Sequence, residues 1–376
     1  MSGRNQNSRE QEEPEKHGQT FQDGSWPINV ANRPADELAY AVSLQRRPQF
    51  PIFPKMLPPF DPLFRNAHLA TIAANFWQRP RVHTPQLPTY FQTESDVQVM
   101  AMTQSPAAIK GELIILHGLE GSHESGYMRS LAHLALEQGY RTHRLNMRGC
   151  GGTEQLSQTL YHAGLTSDLH FILKQFEREG RGPAFLAGFS LGGNVVLKLL
   201  GELGETKLVA GAAAVSTPID LEACCRRMME PQNWLYGNRF VSRLKQSYQE
   251  RHRLSPEHYR PHRDRLAALS QVRTVMDFDD QITAPYFGFG TASRYYASQS
   301  SGRFLAGIRV PTLVVQAQDD PLIPFSVYQQ HDWAEYPQVQ LLAPVHGGHV
   351  GFLAKENPRF WVDQAITTFF SSLRNK

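Results

Sequence analysis

Between residues 112 and 215, short strand-like runs alternate with longer amphipathic ones, and no other feature constrains the fold of this chain as strongly. The strand-like runs fall at 112–116, 141–146, 184–187 and 208–215, and helix-like stretches at 125–138, 165–178 and 191–203 separate them. The alternation lapses from about 217 to 305. It resumes with strands at 311–316 and 339–343, a helix near Val327 and a last helix after Pro358. Strands spaced by helices of about 10–15 residues pair in parallel through right-handed crossovers. The spacing therefore predicts an α/β fold with a mostly parallel sheet flanked by helices. The interruption carries basic helical stretches and many aromatics between Trp234 and Tyr296, and is read as an insertion, a lid, spanning 218–305.

The expected core is then 91–217 together with 306–376. Residues 1–25 are almost free of aliphatic side chains and cannot bury enough apolar area to offset their ordering entropy, so they are expected to be disordered. Residues 26–90 hold most of the 12 prolines, of 25 in the chain, that lie before position 91. Proline fixes φ and removes a donor, so this segment is expected to wrap the core as extended pieces and turns, with one helix at 67–77. A hydrophobic fraction of 41% excludes global disorder. The net charge of +3 is too small to indicate nucleic acid or a polybasic membrane contact as partner. No run of about 18 apolar residues is present, and the polar start lacks a signal-like apolar stretch. Three cysteines, two of them adjacent, are too few for a disulfide scaffold. The expectation is a cytoplasmic protein with reduced thiols and no stable membrane anchor.

The strongest local signal is Gly188-Phe-Ser190-Leu-Gly192, with Gly193 following. A Gly-x-Ser-x-Gly pattern arises by chance roughly 0.1 times in a chain of this length, at about 7% Gly and Ser each. Its context adds weight, because an apolar strand ends just before it and an apolar helix starts just after. That is a nucleophile elbow: the serine sits on a tight turn, with its hydroxyl raised above the sheet edge. The Leu191 N–H, in the first helical turn, would face a developing oxyanion. The competing reading is a serine helix cap after a glycine turn. A second loop, His117-Gly-Leu119-Glu-Gly-Ser122, follows the strand ending at Leu116, where the other oxyanion donor belongs, here Leu119 N–H. His117 reads as a hydrogen-bonded structural side chain rather than a base.

A serine hydroxyl needs a base, and the base an orienting acid. Asp319-Asp320-Pro follows the strand at 311–316, and both aspartates are placed for the acid. Asp320 is favoured, with Asp319 as a turn residue. The base belongs between the last strand and last helix, where His346-Gly-Gly-His349 lies. His349 is favoured and His346 is the second choice. Two histidines three apart could also hold a metal, but a third ligand is not evident nearby, so neither metal nor organic cofactor is expected. Arg148-Gly-Cys-Gly-Gly-Thr153 lacks the Lys-Ser/Thr of a phosphate-binding loop. Asp279 and Asp280, inside the insertion, are read as structural.

Taken in order, Asn66-Ala-His68-Leu-Ala-Thr71, His117–Ser122, Asn146–Gly152, Gly188–Asn194, Phe278-Asp279, Thr283-Ala-Pro285, Gly288-Phe289, Asp319–Pro321 and His346–Phe352 resemble the YheT-type branch of the α/β-hydrolase superfamily. The match runs from about residue 60 to 355. The resemblance implies a Ser190/Asp320/His349 triad and hydrolysis of small-molecule carboxylic esters with short acyl chains. Family members also include acyltransferases that pass the acyl group to an alcohol, and the fold can serve as a non-catalytic ligand pocket. Eukaryotic relatives tend to carry an N-terminal membrane anchor, whereas the start here is polar and charged. Surface association with membranes through the aromatic insertion is a further, lesser expectation.

Overall fold

The computed structural model describes residues 57, 59–80, 84–254 and 263–374, all within the compact unit Tyr40–Lys376. The expectations for 1–25, and for 26–56 of the wrapping segment, lie outside the described residues.

The described chain forms an eight-stranded sheet in the order β1-β2-β4-β3-β5-β6-β7-β8. The strands are β1 (Leu87–Glu94), β2 (Val97–Gln104), β3 (Gly111–Leu116), β4 (Tyr140–Leu145), β5 (Ala184–Phe189), β6 (Val209–Val215), β7 (Thr312–Val315) and β8 (Val339–Leu342). From β4 to β8 every pairing is parallel, while β1 and β2 add an antiparallel edge. The helices are α1 (Ala67–Phe76), α2 (Gly126–Glu137), α3 (Ser167–Arg178), α4 (Leu191–Leu203), α5 (Leu221–Met228), α6 (Trp234–Leu254), α7 (Ala292–Gln299) and α8 (Trp361–Arg374), with shorter turns between them.

The central strands are apolar on both faces because both faces are covered. On one side Leu113, Ile115, Phe185, Phe189 and Leu313 pack with α2 and α8. On the other Ile114, Leu116, Leu186 and Val314 pack with α3, α4 and the segment between β6 and β7. Leu244, Tyr248, Phe278 and Tyr296 of that segment join this same core, so it shares the sheet's hydrophobic interior.

The β1–β2 hairpin is the element that the sequence pattern does not announce, and β1 begins inside the stretch expected to wrap. As an edge strand it buries only Phe91 fully. It also carries Pro88 opposite Met102, a residue tolerated at a sheet edge because one side needs no donor. An alternating, half-exposed strand with a proline does not stand out from a proline-rich coil.

Register is what builds the site. Leu116 pairs with Gly188, Phe189 with Val215, and Val215 with Val315. The carboxyl ends of β3, β5, β6 and β7 therefore finish side by side, and the loops leaving them converge. In open α/β sheets this edge is where ligands bind.

Candidate active site

Ser190 joins β5 to α4 with φ 51° and ψ −121°, left-handed backbone that a non-glycine residue adopts only under constraint. The constraint is visible. Ser190 N–H donates to Val215 O at 2.8 Å, and the chain then turns so sharply that a Cβ at Gly188 would collide with the backbone of Gly192. A Cβ at Gly192 would lie 2.6 Å from His117 O and 2.7 Å from Leu116 O. Both glycines are thus needed for β3, β5 and α4 to meet at this point.

His349 lies on the loop after β8, with its Nε2 3.0 Å from Ser190 Oγ and its Nδ1 2.9 Å from Asp320 Oδ2. Asp320 is buried and saturated: Oδ1 accepts the N–H groups of Leu322 and Ile323, and Oδ2 also accepts Gln316 Nε2 at 3.2 Å. A carboxylate so held, accepting from Nδ1–H, leaves the Nε2 lone pair directed at the serine hydroxyl. Such a chain can accept the serine proton and stabilise the imidazolium that results.

The neighbouring Asp319 and His346 form a parallel pair, His346 Nδ1 to Asp319 Oδ2 at 3.1 Å. Asp319 Oδ1 accepts Gly348 N–H at 2.9 Å, so this pair braces the loop that carries His349. Two further supports come from residues with no role assigned from sequence. Thr71 of α1 accepts His349 N–H at 2.9 Å through the same hydroxyl that donates to Ala67 O, and Ser216 Oγ accepts Val350 N–H at 3.0 Å. Thr71 lies 278 residues away in sequence, and no local pattern announces such a contact.

On the other side of Ser190, the Gly118–Leu119 peptide is held by its carbonyl. Gly118 O accepts Gly121 N–H at 3.0 Å and lies 2.7 Å from His117 Nδ1. In a trans peptide N–H and C=O point opposite ways, so anchoring the carbonyl aims Leu119 N–H away from the loop. Among the described residues neither Leu119 N–H nor Leu191 N–H has a protein acceptor. Leu191 N–H is one of the unpaired donors of the first turn of α4.

His117 is fully buried, and burial pushes its pKa down to about 4. Its Nε2 accepts Met147 N–H at 3.0 Å, so its proton sits on Nδ1 and it is not a base for Ser190. The unfolded chain takes up a proton near 6.5, whereas the fold resists protonation until about 4. Stability is therefore lost as pH falls through this window, by up to about 3 kcal/mol from this residue. In His117→Gln, which can keep both hydrogen bonds, this loss should vanish. Urea unfolding at pH 7 and pH 4 should show the variant losing less stability than wild type; equal losses would refute the assignment.

The serine opens on a cleft with about 980 Å³ of empty space, its mouth included. Its walls are mainly apolar, with Leu191, Leu221, Phe240, Leu244, Leu322 and Ile323 prominent. Of the aromatics between β6 and β7, Phe240, Tyr248, Phe278, Tyr295 and Tyr296 line the cleft, while Phe287 and Phe289 pack behind its wall on His162. Cys224 and Cys225 also line it, and burial raises both thiols, which disfavours the thiolate. Asp279 and Asp280 part company as well. Asp280 accepts Ala292 N–H at the start of α7, whereas Asp279 lines the cleft, accepts from Tyr296 Oη at 2.7 Å and is pushed up to about 6 by burial. Among the described residues no group of three or more His, Cys, Asp or Glu is placed to hold a metal ion, and no helix is long and apolar enough to cross a membrane.

A parallel sheet with a strained serine between β5 and α4, an acid after β7 and a histidine after β8 defines an α/β-hydrolase fold. Residues 112–356 match the α/β-hydrolase fold family. The chain is 32% identical over 314 residues to YheT of Escherichia coli, covering 82% of this chain and 91% of that one. It is 29% identical over 270 residues to the phospholipase ABHD3 of mouse, covering 71% of this chain and 65% of the mouse protein. Among solved structures, an esterase of Pyrococcus furiosus superposes with a TM-score of 0.53 at 18% identity, over 78% of this chain and 97% of that one, a likeness of fold alone. The protein belongs to the α/β-hydrolase family, in its esterase-like YheT-type branch.

Proposed function

We propose that this protein is a serine hydrolase of carboxylic esters, with Ser190 as nucleophile, His349 as general base and acid, and Asp320 as the residue that orients and charge-balances His349. The observation that supports this most directly is the unbroken hydrogen-bond chain Asp320–His349–Ser190 at the mouth of an apolar cleft. Ser190 Oγ attacks the ester carbonyl while its proton passes to His349 Nε2. The carbonyl π pair becomes an oxyanion received by the N–H groups of Leu119 and Leu191. The imidazolium returns its proton to the departing alkoxide, and water repeats the sequence to release the acid.

The cleft takes the acyl group, and residues 218–305 act as its lid. Short acyl chains are the proposed substrates. The reaction so written draws on these three side chains, the two backbone N–H groups and water. Labelling with a fluorophosphonate, mapped by peptide mass spectrometry, should place the adduct on Ser190. Hydrolysis of p-nitrophenyl esters from acetate to palmitate should be fastest at the short end. Absence of labelling in folded protein would defeat the nucleophile assignment, and a maximum at palmitate would defeat the chain-length one. Adding a competing alcohol reads out the acceptor: ester product in place of free acid would make the protein an acyltransferase on the same acyl-enzyme.

A further inference from the structure

Glu120 follows Leu119 directly and has φ 52°, again left-handed backbone at a residue with a side chain. Its surroundings account for that conformation. Glu120 N–H donates to Tyr161 Oη at 3.2 Å, and the same hydroxyl donates back to Glu120 Oε1 at 2.9 Å. Tyr161 therefore spends its single proton on the carboxylate and a lone pair on the amide. Burial and the adjacent carboxylate push its own ionisation well up, so it stays a donor. The other carboxylate oxygen, Oε2, accepts the hydroxyl of Ser247, and Glu120 O lies 3.4 Å from Arg243 Nη1. Ser247 and Arg243 both belong to α6, within the 218–305 segment.

Three parts of the chain thus meet at one carboxylate: the loop after β3, the connection between β4 and α3, and α6. On the near side of Leu119, Gly118 N–H is held by Tyr127 Oη at 3.0 Å. The peptide carrying Leu119 N–H is consequently clamped from both ends, by Tyr127 within the core and by Glu120 through Tyr161 and α6. Glu120, Tyr161 and Ser247 line the same cleft as Ser190.

We infer that Glu120 is a positioning residue that fixes the Leu119 N–H for the oxyanion and makes its placement depend on α6. This rests on the proposed serine-hydrolase reading, in which Leu119 N–H is an oxyanion donor. It assigns Glu120 no contact with the reacting atoms. Its effect is to hold a donor where charge develops, an interaction felt in the transition state more than in the bound ester.

The test uses the full chain and four variants: Glu120→Ala, Glu120→Gln, Ser247→Ala and Ser190→Ala. Misplacing an oxyanion donor costs on the order of 10- to 1000-fold in kcat. Glu120→Ala should lose roughly 10- to 100-fold in kcat while KM stays within about threefold. A trifluoromethyl ketone inhibitor reports the oxyanion separately. Ser190 Oγ adds to its carbonyl carbon, the serine proton moves to His349, and the carbonyl π pair becomes the oxygen anion. Its Ki should rise by the same factor as kcat/KM falls. Glu120→Gln keeps an acceptor for Tyr161 and should recover most of the loss. Ser247→Ala, a milder change on a separate element, should fall between wild type and Glu120→Ala, and it keeps the proposal testable if Glu120→Ala does not fold.

A rise in KM with kcat and inhibitor affinity unchanged would make Glu120 a wall of the cleft and overturn the inference. So would wild-type kinetics in both Glu120→Ala and Ser247→Ala. If Ser190→Ala retains wild-type turnover, the serine-hydrolase reading itself fails. If Ser190→Ala is dead and the Glu120 and Ser247 variants are unimpaired, only the positioning role fails.

Discussion

Alanine at position 190 is expected to lower kcat for a p-nitrophenyl ester by roughly 10⁴–10⁶-fold, because members of such a constellation act as a unit and removing the nucleophile removes all of their joint effect. The substitution deletes one hydroxyl and a single hydrogen bond, from Ser190 Oγ to His349 Nε2. The left-handed backbone at this position is imposed by the strand–helix turn and by Ser190 N–H donating to Val215 O, neither of which involves the hydroxyl. Alanine should therefore fold with a thermal midpoint close to wild type. Turnover and thermal melts on the same preparation separate loss of chemistry from loss of fold. A stable variant that retains a tenth of wild-type kcat would sink the assignment of Ser190 as nucleophile.

The second large effect contrasts two adjacent carboxylates. Asp320→Asn should cost about 10⁴-fold in kcat. Asp320 accepts hydrogen bonds on both oxygens, from two backbone N–H groups on Oδ1 and from His349 and Gln316 on Oδ2. An asparagine has one acceptor and one donor end. If its amide faces His349, the imidazole must accept at Nδ1 and carry its proton on Nε2, where it cannot take one from serine. If the amide turns the other way, two backbone N–H groups meet a donor. The first arrangement removes the base, and the second keeps its tautomer but takes the acceptor from the turn that holds it.

Asp319→Asn faces a milder version of the conflict, because its partner His346 is partly exposed and does not touch Ser190. Its cost should stay within about tenfold, arising through the Gly348 bond that braces the His349 loop. Steady-state kinetics on the two variants under one condition decide the matter. Equal losses, or a larger loss at Asp319, would show that the wrong aspartate has been assigned.

The two Asp–His pairs also mark where reading residues in order stops being sufficient. Asp319-Asp320 and His346-Gly-Gly-His349 could be placed on the loops after β7 and β8 from the order of strands, because the ends of a parallel sheet's strands lie in register. Which aspartate meets which histidine depends on the direction of neighbouring side chains in one tight turn. That is set by loop dihedrals, not by residue type. Asp279 and Asp280 repeat the point: alike in sequence, one lines the cleft and the other accepts the Ala292 N–H at the start of α7.

From sequence alone, the regular elements of the parallel core were legible to within one or two residues, as was the elbow at Ser190. In both cases the information is local. A strand covered on both faces reads as an apolar run, a helix as a periodic one, and a strained serine turn needs glycines at fixed offsets. The tertiary structure alone decided the β1–β2 edge, the brace of Thr71 on His349, which aromatics between β6 and β7 line the cleft, and the meeting of Glu120, Tyr161 and Ser247. The hairpin is local but half-exposed and carries Pro88, and each of the others is a contact between residues far apart in sequence. Its energy depends on distance and orientation in the folded chain, and no periodicity or spacing along the sequence records either.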